Sequence, residues 1–352
     1  MTHHRCLSLF LTVILAGCGS SKEQPGGSGG AAAATGGAGD QSTADATSSS
    51  TGAGGGGDSV HEQAAIDTAT KSDVCKAIAP FYWEIGDVKS ALVSGSTGDG
   101  SFTASTSMKI ASASKLMFGA YVVERFKDDL GQIDVDAMTM RSGYTGFTDC
   151  GNTKTVAGCL ALGTNGVLHP EEVGRFYYGG GHYQNYGVDL GLGLDGNTKL
   201  ATDIGDVIGP ELGLAYWIPE PAAGVELTPE KYAVFLRKIL AGDLAIASHL
   251  GEGAVCTLQA SCPAADSSPV PEAWHYSYGH WVEDDPTTGD GSFSSPGLFG
   301  FYPWIGASKK IYGLVARFDP ADALKPPLAS SYWMSVVCGR AIRAAFQTGK
   351  GP

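Results

Sequence analysis

Residues 109–123 read KIASASKLMFGAYVV, a polar turn that passes into an apolar run. Ser112 stands three residues ahead of Lys115, and no other lysine in the chain has a serine at that spacing. In a helix this separation puts both side chains on one face, with Cβ atoms roughly 5–6 Å apart. The first N–H groups of a helix lack intrahelical partners and can face a developing oxyanion. Leu116, Ala120, Val123 and Phe126 make an apolar stripe that predicts burial of the rest of the helix. The pair therefore reads as a nucleophile with a cationic neighbour. A protonated lysine cannot accept the hydroxyl proton, so a third group is required as base.

The ends of the chain set its compartment. Arg5 is followed by a short apolar core, Leu7–Leu15, too short to span a bilayer, and then by Leu15-Ala16-Gly17-Cys18. This resembles the lipobox of a bacterial lipoprotein, which implies a signal peptide over 1–17, lipid on Cys18 and a cell-envelope location. Residues 18–60 are Gly, Ser, Ala and Thr with almost no large apolar side chain, a composition that predicts a disordered tether. A folded domain is expected over 61–352. The net charge of −13 becomes −14 once Arg5 leaves with the signal, which disfavours nucleic acid and anionic lipid heads as partners. Membrane contact is expected from the lipid alone.

Of eight cysteines, Cys6 belongs to the signal and Cys18 to the lipid site. The remaining six suit an oxidising compartment. Locality pairs Cys150 with Cys159 and Cys256 with Cys262, leaving Cys75 with Cys338. No C-x-x-C or H-x-x-x-H spacing supports zinc, and nothing in the pattern calls for a cofactor.

Helical spacing is expected over 66–85, with Val74, Ile78 and Phe81 on one face, then a hairpin over 89–103 around Gly98-Asp99-Gly100. Residues 141–181 read as loop. Thr228 as N-cap, Pro229 at the first position and Gly242 past the end frame a helix over 228–241, its buried side carrying Tyr232, Phe235, Leu236, Ile239 and Leu240. Residues 274–282, 298–305 and 310–318 favour strands, the last two joined at 306–309, and 332–346 closes as a helix. This order predicts an α+β fold: an antiparallel sheet flanked by terminal helices, with a mostly helical lobe between.

The tetrad Ser112-Ala113-Ser114-Lys115 is the S-x-x-K pattern of penicillin-binding proteins and class A β-lactamases. Downstream, Arg175–His182 (RFYYGGGH) is similar to a second motif, F-x-Y-x-N; Ala222-Ala223-Gly224 leads into the helix at Thr228; and Phe293–Gly300 (FSSPGLFG) is similar to a third. In this order the chain resembles the serine β-lactamase-like superfamily of class C β-lactamases, D-Ala-D-Ala carboxypeptidases and esterases. The resemblance implies a β-lactamase/transpeptidase-like fold and a covalent acyl-enzyme on Ser112, with a small-molecule or peptide acyl substrate. Tyr178 would be the general base, with Tyr183 of Tyr183-Gln184-Asn185 as its competitor. The oxyanion would be held by the N–H groups of Ser112 and Leu298. A unit charge about 4 Å from a phenolate is worth about 4 kcal/mol at an effective dielectric of about 20, so Lys115 is expected to bring Tyr178 from about 10 towards 7.

Two departures stand out. Gly180 replaces the asparagine of the second motif, with His182 as a possible substitute facing substrate. Ser295-Pro296-Gly297 replaces the K-T-G or H-x-G of the third, so no cation awaits a substrate carboxylate. A neutral ester or amide is expected in place of a penicillin, against an aromatic wall from Tyr302, Trp304 and Trp281. The alternative is a non-catalytic binding or envelope-structural lipoprotein on the same fold. Weaker patterns lead elsewhere and stop short. Gly179-Gly180-Gly181 lacks a P-loop lysine, Asp284, Asp285 and Asp290 read as a solvated turn, and His182, His275 and His280 accompany no G-x-S-x-G elbow.

Overall fold

The computed structural model describes residues 58–352. The signal segment, Cys18 and most of the Gly/Ser/Ala-rich stretch lie outside the described residues. The first described helix, Asp58–Lys71, starts ahead of His61 and is followed by a turn of helix at Asp73–Lys76. The helix expected to run to residue 85 stops here. Pro80 has no N–H to continue it, and Phe81-Tyr82-Trp83 favours extended backbone, so Phe81–Asp87 is a strand. The hairpin shifts with it. Ala91–Thr97 pairs antiparallel with Phe81–Asp87, and Gly98 and Gly100 (φ +70° and +73°) turn the chain after the second strand, not between the two.

The main sheet has eight strands, ordered Ala91–Thr97, Phe81–Asp87, Ile311–Ala316, Tyr302–Ile305, Ser292–Ser294, Trp281–Glu283, His275–Tyr276 and Val255–Cys256. Each neighbouring pair is antiparallel. The single strand expected over 274–282 is instead two, folded back at 277–280, where Gly279 takes φ +81°. The expected connection at 306–309 forms, with Lys309 at φ +55°.

Both faces of this sheet are covered. Tyr302 pairs with Val315 and Trp304 with Gly313, so these four share one face. The C-terminal helix, Ser331–Thr348, lies on it so closely that a Cβ on Gly339 would come within 2.6 Å of the Tyr302 ring. Cys75 is bonded to Cys338 of that helix (S–S 2.06 Å). Cys150–Cys159 and Cys256–Cys262 are also bonded. The opposite face carries Tyr312, whose hydroxyl accepts from Arg237 at 2.6 Å and donates to Glu84.

Arg237 belongs to the helix Pro229–Ala241, whose ends form as their residues dictate. The Thr228 hydroxyl accepts from the Lys231 N–H, and Gly242 is left-handed at φ +77°. Helices Ser114–Phe126, Gln132–Met138, Gly181–Gly187 and Asn197–Ile208 build the helical lobe. The fold is thus α+β with a mostly antiparallel sheet. Among the described residues no helix is long and apolar enough to cross a membrane.

Candidate active site

The segment carrying Ser112 enters its helix through strained backbone. Ala111 has φ +46°, in the left-handed region that costs a residue with a Cβ about 1–2 kcal/mol. A 3₁₀ turn, Ala111–Ala113, follows, and the α-helix begins at Ser114. Neighbouring groups hold this turn. Ser114 Oγ donates to Ala111 O (2.6 Å) and accepts from the Val225 N–H (3.2 Å). Ile110 N–H donates to Val225 O (3.1 Å), and the Tyr232 hydroxyl donates to Ala113 O (2.9 Å).

Ser112 is half-buried and Lys115 is buried. Lys115 Nζ lies 2.9 Å from Ser112 Oγ, 3.2 Å from Ala222 O and 4.8 Å from the centre of the Tyr178 ring. These three side chains therefore meet, with the Ala222 carbonyl completing the surroundings of the amine. Tyr178 stacks on Trp281 (centroids 5.2 Å apart) and meets Tyr276 edge-on (5.8 Å). Tyr183 is fully buried, donates to Met138 O (3.0 Å) and packs on Phe118, so it is part of the lobe's core.

The electrostatics differ from the simple charge arithmetic. Burial pushes the Tyr178 hydroxyl up to about 12, and hydrogen bonding to Ser112 and Trp281 only partly opposes it. Lys115 moves the other way. Burial lowers it to about 8, while the charge of Glu220 pulls it up. The expected depression of the phenol is therefore corrected. Desolvation penalises whichever member is charged, so the site favours a neutral phenol and a readily deprotonated amine.

Three further expectations change. Ser295 is only 3 % exposed, and its hydroxyl donates to Ser112 O (3.0 Å) and Gly279 O (3.4 Å). It fastens the turn at Ser112 and is closed off from solvent. His182 is fully buried, with Nδ1 on Ser142 Oγ (2.8 Å) and Nε2 on Tyr177 O (2.9 Å). Burial holds it down at about 4, so it is a neutral rivet between the Tyr178 loop and its neighbours and not a substitute for the missing asparagine. Tyr302 and Trp304 face the C-terminal helix, where the Tyr302 hydroxyl donates to Glu283 (2.6 Å) and Arg343 lies 4.9 Å over Trp304. Of the expected aromatic wall, Trp281 alone reaches Tyr178.

Gly297 follows the end of its strand so close to the nucleophile turn that a Cβ there would lie 2.1 Å from Ile110 O. Its N–H donates to Phe301 O (2.7 Å), and Leu298 is the next residue along. The acidic residues of the 284–290 turn have protein partners: Asp284 with His275 (2.9 Å), Asp285 with the Ala273 and Thr287 N–H groups, and Asp290 with Arg343 (2.7 Å). Among the described residues no group of His, Cys, Asp and Glu side chains is arranged to hold a metal ion.

Sequence reasoning missed Glu220. It is 8 % exposed, precedes the Ala222-Ala223-Gly224 turn by two residues, and couples electrostatically to Lys115. Its only signal was that proximity to a stretch already singled out.

No protein-family model and no curated protein matches the sequence. Solved structures do match in fold. A penicillin-binding protein from Bacillus halodurans aligns over 76 % of this chain and 98 % of its own at 12 % identity (TM-score 0.55). EstCE1, a hydrolase with promiscuous acyltransferase activity, aligns over 80 % and 99 % at 10 % identity (TM-score 0.57). The D-amino acid amidase of Ochrobactrum anthropi SV3 aligns over 81 % and 97 % at 11 % identity (TM-score 0.55). The chain thus has the β-lactamase/transpeptidase-like fold.

Proposed function

We propose that this protein is a serine hydrolase that cleaves a neutral ester or amide through an acyl-enzyme on Ser112. The observation that carries the reading is the 2.9 Å contact between Ser112 Oγ and the buried Lys115 amine. With Lys115 near 8, a usable fraction of the amine is neutral at physiological pH and can take the serine proton. Ser112 Oγ then bonds to the acyl carbon as its proton passes to Lys115 Nζ. Tyr178, beside Lys115 and kept protonated by burial, hands its proton to the departing alkoxide or amine and regains one from Lys115. Water reverses the sequence and frees the acid. The N–H groups of Ser112 and Leu298 are assigned to the oxyanion.

A neutral acyl donor is favoured because the third motif offers buried Ser295 where a cation would meet a carboxylate. The shared fold houses both a hydrolase with acyltransferase activity and a D-amino acid amidase, which fits this breadth of acyl donors. The same reading places the enzyme at the bacterial cell envelope, anchored by lipid on Cys18, with three disulfides suited to that compartment.

The test is covalent labelling by a fluorophosphonate, with peptide mass mapping, beside turnover of p-nitrophenyl esters, nitrocefin and D-Ala-D-Ala peptides. A Ser112 adduct and ester turnover, both lost in Ser112→Ala with unfolding unchanged, are expected. A folded protein that forms no adduct and turns over none of these would instead be the non-catalytic form of the fold.

A further inference from the structure

A second sheet of three strands, Met108–Lys109, Val225–Leu227 and Ala215–Tyr216, is left open along its last member. Register fixes which groups face that edge. Ala215 pairs with Glu226 and Tyr216 with Val225, and the Trp217 N–H donates to Gly224 O (2.9 Å). Bonded and unbonded pairs alternate along an antiparallel ladder, so Tyr216 points its N–H and C=O away from Val225. Val225 agrees: its N–H goes to Ser114 Oγ and its C=O to the Ile110 N–H, on the opposite side. The N–H and C=O of Leu214 likewise meet no described residue. The edge is thus a row of backbone donors and acceptors with no strand beside it. It is also held in place. The Tyr216 ring is buried, and a Cβ on Gly224 would lie 2.8 Å from it.

Between this strand and the helix Asn197–Ile208 lies a groove of about 400 Å³. Ala201, Gly205 and Asp206 wall it on the helix side, and Leu214, Ala215 and Tyr216 on the strand side. Sites for small ligands run from roughly 300 to 1,000 Å³. Gly205 stands in the helix interior, where glycine is less favourable than alanine. It is buried, yet a Cβ there would meet nothing within 4 Å, and its φ is not left-handed. Neither crowding nor conformation calls for glycine, so its effect is to leave the groove open. The charges nearby are unbalanced. Lys199 is paired with Asp203 and Lys238 with Glu211, whereas exposed Asp206 has no cation partner among the described residues.

We propose that this groove binds an extended, basic peptide segment of another protein, added as a fourth strand beside Leu214–Tyr216. A small apolar side chain of the peptide enters the space at Gly205, and a lysine or arginine meets Asp206. Such a strand supplies what each wall lacks: main-chain partners for the edge, a filler for the open volume, and a cation for the unpaired carboxylate. Other occupants fit less well. A second copy of the chain would bring its own Asp206 and a net charge of −13 against the same charge. The chain's own residues 19–57 hold one basic residue, Lys22, and Glu23 follows it directly. This binding is independent of the chemistry proposed at Ser112.

The probe is a fluorescein-labelled peptide amide, lysine-valine-lysine-valine-lysine, titrated into the whole protein by anisotropy, with amide hydrogen exchange resolved to single residues. Saturable binding is expected. The Leu214 and Tyr216 amides should exchange freely before the peptide is added and at least about tenfold more slowly once it is bound. Glutamate in place of each lysine should weaken binding at least about tenfold. Gly205→Leu, which fills the groove, should weaken it by about as much, and Asp206→Lys by about three- to tenfold with thermal unfolding unchanged. Should Gly205→Leu fail to fold, Asp206→Lys and the glutamate peptide still decide. No saturation below about 1 mM, equal binding of the glutamate peptide, or an affinity unaltered in the folded variants would overturn the proposal. Protection of Leu214 and Tyr216 before any peptide is added would also overturn it. Protection that grows with protein concentration would assign the edge to a second copy, and protection independent of concentration to the chain's own N-terminal residues.

Discussion

The pH dependence of Ser112 acylation separates two bases that lie side by side. Lys115 sits near 8 and Tyr178 near 12, each displaced by burial. If the neutral amine takes the serine proton, the competent fraction is about a tenth at pH 7 and about a hundredth at pH 6, since each unit below 8 costs about tenfold. The rate should then rise with unit slope to about pH 8 and level off by about pH 9. If the phenolate were the base, the same rate would climb about a hundredfold more between pH 9 and 11. The assay is the second-order labelling rate with a fluorophosphonate, corrected with Ser112→Ala at each pH. Lys115→Met should lose about 10²–10⁴-fold at the plateau, the usual worth of a positioned base. A limb still rising with unit slope at pH 10 would refute the amine as base and return the role to Tyr178. A flat profile from pH 6 upward would refute both.

The same lysine should make the protein less stable than it could be. With its folded value near 8 and its unfolded value near 10.5, the folded state resists protonation, so the cost is full below about pH 8 and vanishes as pH rises through 10.5. Lys115→Met should therefore raise unfolding free energy at pH 7 by up to about 3 kcal/mol and leave it unchanged above pH 11, as read by denaturant titration. Replacing Cys75 and Cys338 by alanine opens a loop of 263 residues; the chain-entropy estimate is about 5–6 kcal/mol, and an unaltered urea midpoint would contradict it. Ser295→Lys should not create a carboxylate receptor: at a site 3 % exposed it should cost about 2–4 kcal/mol in stability and leave nitrocefin turnover no higher than wild type. Gly339→Ala should cost about 1–3 kcal/mol in thermal unfolding, because its methyl group would press on the Tyr302 ring.

Local signals were legible and phase was not. The helix Pro229–Ala241 carries its cap, its first-turn proline and its terminal glycine within its own sequence, and each acts where it stands. The spacing of Ser112 and Lys115 is equally local. Tyr302 and Trp304, by contrast, were assigned to the site because they are aromatic and close in sequence to the third motif. Every residue of Tyr302–Ile305 is buried, since helices cover the sheet on both sides. A strand buried throughout has no polar alternation from which to tell one face from the other. Glu220 was missed for a related reason. It is noticed only through its electrostatic influence on Lys115, a residue distant in sequence. The direction of the Tyr178 shift failed because charge can be counted along a chain, whereas desolvation needs the walls: Trp281 and Tyr276 come from the far third of the sequence.

The strained turn at Ala111 gives these observations a common cause. A left-handed alanine persists only where its surroundings over-determine it. Here Val225 and Ser114 hold residues 110 and 111 from the helical-lobe side, Tyr232 holds Ala113, and Ser295 holds Ser112 O from the end of a sheet strand. Each such bond is worth about 1 kcal/mol net, so together they exceed the strain. The close glycine contacts act in the same sense: Gly297 abuts Ile110 O, and a Cβ on Gly279 would lie 2.2 Å from Lys115 O. Ser112 and Lys115 are thus fixed by elements of both the lobe and the sheet before any substrate arrives. Ser295-Pro296-Gly297, which holds no cation, serves this placement. Ser295 uses its hydroxyl on the Ser112 backbone carbonyl, which favours placement of that serine over recognition of a charged group.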